Sequence, residues 1–133
     1  MLPAANRLRR PDDFRAVLRG SRGGRRPSDD PPSQPVARSR AGGTLLVVHV
    51  AMTDPTGATP PRVGLVVSAA VGGAVVRNRT ARRLRHQLRD RLAVLPTGCD
   101  VVVRAQPAAA AVDSAALGAE LDRLLPVAVR RVS

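Results

Sequence analysis

Residues 75–95 read VVRNRTARRLRHQLRDRLAVL. The fifteen residues from Arg77 to Arg91 hold seven arginines and a single acid, Asp90. At about 100° per residue the stretch sorts into two sides of one helix. Ala81, Leu84, Leu88, Leu92 and Leu95 share one side. Asn78, Arg82, Arg85, His86 and Arg89 share the other, with Arg79 and Arg83 beside them. The first side is built to pack. The second either stays solvated or holds negative charge.

Such a helix needs an apolar surface to lie on, and the flanking sequence supplies one. Pro96-Thr97-Gly98 ends the helix, and CDVVVRA, 99–105, reads as a strand. QPAAAA connects to a last helix, which Asp113 or Ser114 can cap. Leu117, Leu121, Leu124 and Leu125 make its apolar stripe, and Pro126 stops or bends it before a basic tail.

Upstream, Ala69-Ala70-Val71-Gly72-Gly73 is a short crossing from the strand RVGLVVS, 62–68. TLLVVHVAM, 44–52, is another strand, and the loop between them suggests an antiparallel hairpin. In that strand Leu45, Val47 and His49 point one way, and Thr44, Leu46, Val48 and Val50 the other. His49 is either a satisfied structural residue or, on an open face, a ring that can stack on a base.

Residues 21–43 are rich in Pro, Gly, Ser, Arg and Asp and read as a disordered or loosely held insertion. VARSRAG within it is at most a weak extra strand. PDDFRAVLRG, 11–20, reads as a short helix with Phe14, Val17 and Leu18 on one side. Arg7, Arg9 and Arg10 form a basic lead-in. The whole, 1–133, reads as one α+β domain without repeats.

The totals agree with a polyanion partner. All 22 basic residues are arginine, against 10 acids, for a net charge of +12. Guanidinium grips phosphate in a bidentate way. With one Phe and no Trp or Tyr, the core must be Val, Leu and Ala, and an aromatic base-stacking platform is excluded. One cysteine, Cys99, rules out an internal disulfide and reads as a buried thiol. No apolar run suits a membrane span and no signal-peptide core opens the chain, so a cytoplasmic protein without a membrane partner is expected. No pair of acids is placed for general acid–base work, and metal-ligand clusters and nucleophile motifs are missing, so no residue is assigned to catalysis or to a metal ion. From the residues alone this is a small RNA- or DNA-binding protein.

Residues 62–85, RVGLVVSAAVGGAVVRNRTARRLR, resemble the signature of the bacterial ribonuclease P protein subunit family, with Arg77-Asn78-Arg79 as its RNR motif. NRLRRPDDFRAVLRG, 6–20, resembles the family's opening, and TLLVVHV and GCDVVVRAQP follow in the expected order. The resemblance implies an α-β-β-β-α-β-α two-layer sandwich with a left-handed β-α-β crossover, similar to a ribosomal-protein domain fold. It implies a protein that binds ribonuclease P RNA and the 5′ leader of precursor tRNA. It would assist Mg²⁺-dependent endonucleolytic removal of that leader, with Mg²⁺ bound mainly by the catalytic RNA and no obligatory protein partner. The alternative is a structural RNA-binding protein associated with the ribosome.

By position, the resemblance assigns RNA contacts to Arg77, Asn78, Arg79, Arg82 and Arg85, to Ser68, and to Arg7 and Arg9. Arg83 and Arg89 join them from the same helix. Phe14, Leu18 and His49 match positions lining the leader cleft. Ala69, Ala70, Gly73 and Ala81 stand where the family usually carries cations, and Leu18 replaces a second cleft aromatic.

Overall fold

The computed structural model describes residues 4–8, 14, 17–18 and 37–132. Arg9, Arg10, most of the helix expected at 11–20 and the insertion through residue 36 lie outside the described residues, though Phe14, Val17 and Leu18 are helical.

Four strands form one mixed sheet: β1 Arg38–Gly42, β2 Leu46–Met52, β3 Arg62–Val66 and β4 Cys99–Ala105. Their spatial order is β1-β2-β4-β3. β1 pairs antiparallel with β2, β2 antiparallel with β4, and β3 parallel with β4. Two long helices follow β3 and β4, α1 Ala74–Arg89 and α2 Ser114–Val132. The β3-α1-β4 unit joins two neighbouring parallel strands through a helix, as a β-α-β crossover.

The expected hairpin between 44–52 and 62–68 does not form, because β4 lies between those strands. Val101, Val102 and Val103 are all fully buried, so β4 is apolar on both faces. A strand of that kind belongs in the sheet interior, with a neighbour on each edge. The insertion expected at 21–43 is also shorter than its composition suggests, since 38–42 is β1. Only Ala41 of β1 is buried. An edge strand bonded on one side tolerates arginines and needs little apolar content.

α1 is shorter than the 75–95 stretch. It ends at Arg89 with Asp90 as C-cap, and a 3-10 turn, Leu92–Val94, carries the chain onward. Leu95 is extended at φ −89° and ψ 137°. A residue before proline avoids the helical region, so Pro96 acts one residue early. Conversely, α2 runs through Pro126 to Val132. Ala128 and Val132 continue its buried stripe past the proline, so packing on the sheet outweighs the missing amide. Asp113 caps α2, its Oδ1 accepting the Ala116 amide at 2.9 Å.

The main core lies between one face of the sheet and the two helices: Leu46, Val48, Val50, Val101 and Val103 meet Leu84, Leu88, Leu117 and Leu121. On the opposite face, Leu8, Val17, Ala51 and Val102 form a smaller cluster that Phe14 and Leu18 pack against. Asp100, buried at the end of that second face, takes two bonds from Arg62, Nε at 2.9 Å and Nη2 at 2.7 Å.

Candidate nucleic-acid interface

α1 is held down by Thr80, Leu84 and Leu88, all fully buried. Thr80 rather than Ala81 completes this seam. Burial of its hydroxyl is tolerated because Oγ1 donates to the Val76 carbonyl at 2.9 Å. The opposite face is as expected: Asn78, Arg82, Arg85, His86 and Arg89 are exposed.

The other arginines of the stretch divide differently. Arg83 is half-buried, and its Nη1 donates to the Val112 carbonyl at 2.7 Å. Arg79 reaches the Ala110 carbonyl at 3.5 Å. Arg91 bonds both Asp122 oxygens, at 2.8 and 3.1 Å, and Gln87 as well. These three fasten α1 to the segment before α2 and to α2 itself. Arg77 is half-buried, with an Nε that is buried and lacks a partner among the described residues. Ser68 is exposed, at the turn that leads from β3 into α1.

A second basic surface lies on the sheet face away from the helices. The strand register places Arg40, His49, Val102 and Gly64 in one row across β1, β2, β4 and β3. Arg104 stands diagonal to His49, opposite Val47. The Phe14 ring lies directly over Gly64, in the space a Cβ would occupy, so glycine is what lets the ring approach the sheet. Phe14, Leu18 and His49, assigned to one cleft by resemblance, therefore do share a face. Burial and then the charges of Arg40 and Arg104 push the His49 imidazole below its usual pKa.

The two basic surfaces meet. A cavity of about 160 Å³ is lined by Arg7, Leu8, Phe14, Val63, Gly64, Leu65 and Arg85. It joins the lead-in, the cleft and the arginine helix. Arg7 reaches it because the chain there bridges in parallel to Val63, with the Leu8 amide donating to the Val63 carbonyl at 3.0 Å.

Arg40 and Arg104 were not singled out from the sequence. Arg104 did leave a signal, as the exposed cation inside an otherwise apolar run. Arg40 left none, because its strand lacks apolar periodicity. Four of the described acids are engaged elsewhere: Asp100 with Arg62, Asp122 with Arg91, Glu120 with Arg123 and the Leu45 amide, and Asp54 with Thr56 and Thr59. No group of three or more metal-ligating side chains occurs among the described residues. Nor is any helix among them long and apolar enough to cross a membrane.

Comparison with known proteins bears on this arrangement. The family model described as Ribonuclease P matches residues 36–129. The ribonuclease P protein component of Streptomyces avermitilis is 49% identical over 131 residues, covering 94% of this chain and 93% of its own length. That of Streptomyces griseus subsp. griseus is 51% identical over 131 residues, with the same coverage. Among solved structures, the RNase P protein of Staphylococcus aureus superposes with a TM-score of 0.70 at 17% identity, over 96% of this chain and 98% of that one. The protein from Thermotoga maritima gives 0.65 at 23% identity, over 93% and 96%. The solved structures share the fold, these sequence relatives are identical at about half of the aligned positions, and the chain belongs to the ribonuclease P protein family.

Proposed function

We propose that this chain is the protein subunit of ribonuclease P, binding the enzyme's RNA through α1 and the 5′ leader of precursor tRNA along the sheet face. The observation that carries this reading is the junction of two basic surfaces at the Arg7–Phe14–Arg85 cavity. One surface is a helix face crowded with guanidinium groups, suited to the phosphates of a folded RNA. The other is a shallow sheet face with one phenyl ring, one imidazole and flanking arginines, suited to a single strand. A protein that neutralises phosphates of two RNAs with these two surfaces lets the polyanions approach each other.

Within this reading the hydrolysis of the phosphodiester bond belongs to the RNA, and Mg²⁺ is held there. Among the described residues the acids do not group into a resident Mg²⁺ site: Asp100 and Asp122 are paired with arginines, Glu120 with an arginine and an amide, and Asp54 with amides and hydroxyls. No step is assigned to a protein-bound metal. What the chain contributes is charge, orientation and a track for the leader. The cytoplasm, where its RNA partners are made, is the proposed compartment.

Reconstitution tests this directly. The chain is mixed with its own organism's ribonuclease P RNA and precursor tRNA at low Mg²⁺. Cleavage at the mature 5′ end should be markedly faster than with RNA alone. Equal rates would overturn the proposal.

A further inference from the structure

We propose that Asn6 is a positioning residue for RNA binding: it clasps the lead-in to the chain entering β3, and so holds Arg7 at the cavity that Arg85 of α1 also lines. This rests on the reading of Arg7 and Arg85 as RNA contacts and adds what makes them act together.

The lead-in has little to hold it by itself. Ala4–Asn6 is a single 3-10 turn, and one such turn has no stability of its own in water. Its ties to the sheet lie on either side of Arg7. On one side, Leu8 is buried in the smaller cluster, and its amide donates to the Val63 carbonyl at 3.0 Å. On the other, Asn6 Nδ2 donates to the Pro61 carbonyl at 2.7 Å.

The local sequence explains why an asparagine suits that place. Pro60 and Pro61 have no amide hydrogen, so the backbone there offers acceptors only. Pro61 is buried, and a buried carbonyl needs a donor. The half-buried Asn6 side chain supplies one on a short arm.

Electrostatics gives the clasp its consequence. Arg7 and Arg85 come from separate elements, are both exposed, and line one cavity of about 160 Å³. No carboxylate is among the described residues that line it. Two guanidinium groups on one cavity repel, and a lead-in free to move relieves the repulsion by moving away. The clasp opposes that retreat. A phosphate arriving at the cavity meets both cations already in place, so the ordering of Arg7 is met on folding rather than on binding.

Asn6 carries no charge, which makes its effect separable. Its replacement changes the salt dependence of binding only by disengaging a cation. A neutral contact of its own with RNA would leave the salt slope unchanged.

The test is a double-mutant cycle on the full-length chain: Asn6→Ala, Arg7→Ala and the two together. The main core lies on the other sheet face, so all three variants should stay folded, which thermal unfolding checks. The probes are the cognate ribonuclease P RNA and a single-stranded oligoribonucleotide, each titrated over a salt series. The probe that responds tells which RNA supplies the phosphate. Arg7→Ala should weaken binding and lower the slope of log K against log salt by about 0.7–0.9. Asn6→Ala should weaken binding about two- to tenfold, the worth of one hydrogen bond. Its slope should fall part of the way toward that of Arg7→Ala. In the Arg7→Ala background, Asn6→Ala should add nothing further. Equal losses from Asn6→Ala in both backgrounds overturn the inference, as does an unchanged Asn6→Ala slope, while Arg7 stays an RNA contact. An Arg7→Ala protein with unchanged affinity and slope for both probes overturns the reading of Arg7 itself, and the inference with it.

Discussion

Arg82 and Arg83 are adjacent in sequence yet face different partners, which makes them a sharp test of how α1 works. Arg82 is exposed on the side opposite Leu84 and Leu88. Arg83 is half-buried and donates to the Val112 carbonyl at 2.7 Å. Arg82→Ala removes one guanidinium from the exposed side of α1 and nothing from the fold. If that group neutralises one phosphate, the slope of log K against log salt should fall by about 0.9 for a duplex-like contact. Stability should stay within about 0.5 kcal/mol, the usual range for surface substitutions.

Arg83→Ala does the opposite. It leaves a carbonyl of the segment before α2 without its charged donor, a loss of about 1–2 kcal/mol. For a domain of this size that lowers Tm by roughly 3–10 °C. Its salt slope should match the unsubstituted protein. The assay is binding to the cognate ribonuclease P RNA over a salt series, with thermal unfolding of the same samples. Equal slope changes in the two variants would refute the division of labour, as would a large fall in Tm for Arg82→Ala.

Three more outcomes are expected. Leu84→Ala removes a fully buried side chain from the seam beneath α1, and urea unfolding should show a loss of about 2–5 kcal/mol. The Asp54 carboxyl is held down to about 2 by the hydroxyls of Thr56 and Thr59. A depressed carboxyl stabilises the fold above its unfolded value near 3.8, and that contribution fades as pH falls toward about 2. Stability measured over this window should therefore depend less steeply on pH in Asp54→Asn, and an unchanged dependence would rule the loop out as its source. Burial pushes the Cys99 thiol up to about 11, so a thiol reagent at mildly alkaline pH should modify it only in denaturant. Rapid modification of the folded chain would show that β4 opens at its start.

The arginine helix was legible in the sequence because its charges and leucines separate at the helical period, and a period is a local property. What Arg79, Arg83 and Arg91 do was not legible. They border the two sides, and their roles depend on where the Ala110 and Val112 carbonyls and Asp122 arrive in space. The sheet shows the same limit. The apolar run CDVVVRA announces a strand buried on both faces, but not that it separates two strands that precede it in the chain. Pairing partners are set by long-range packing, which periodicity does not encode. β1 was hidden for a different reason, since an edge strand with one buried residue carries almost no hydrophobic signal.

Register then adds what period cannot, namely direction. The row Arg40–His49–Val102–Gly64 crosses all four strands and ends under Phe14, beside the cavity that Arg85 also lines. At about 4.8 Å between strands, the row spans roughly 15 Å. A strand of nucleic acid lying along it would leave the β1 edge, pass the imidazole and the phenyl ring, and arrive at the arginine helix. With so short a track and two rings to stack on, contact must come mostly from backbone charge and shape. If a single strand binds there, such a surface holds strands of differing sequence with similar strength, and its discrimination is against a missing strand rather than a wrong base.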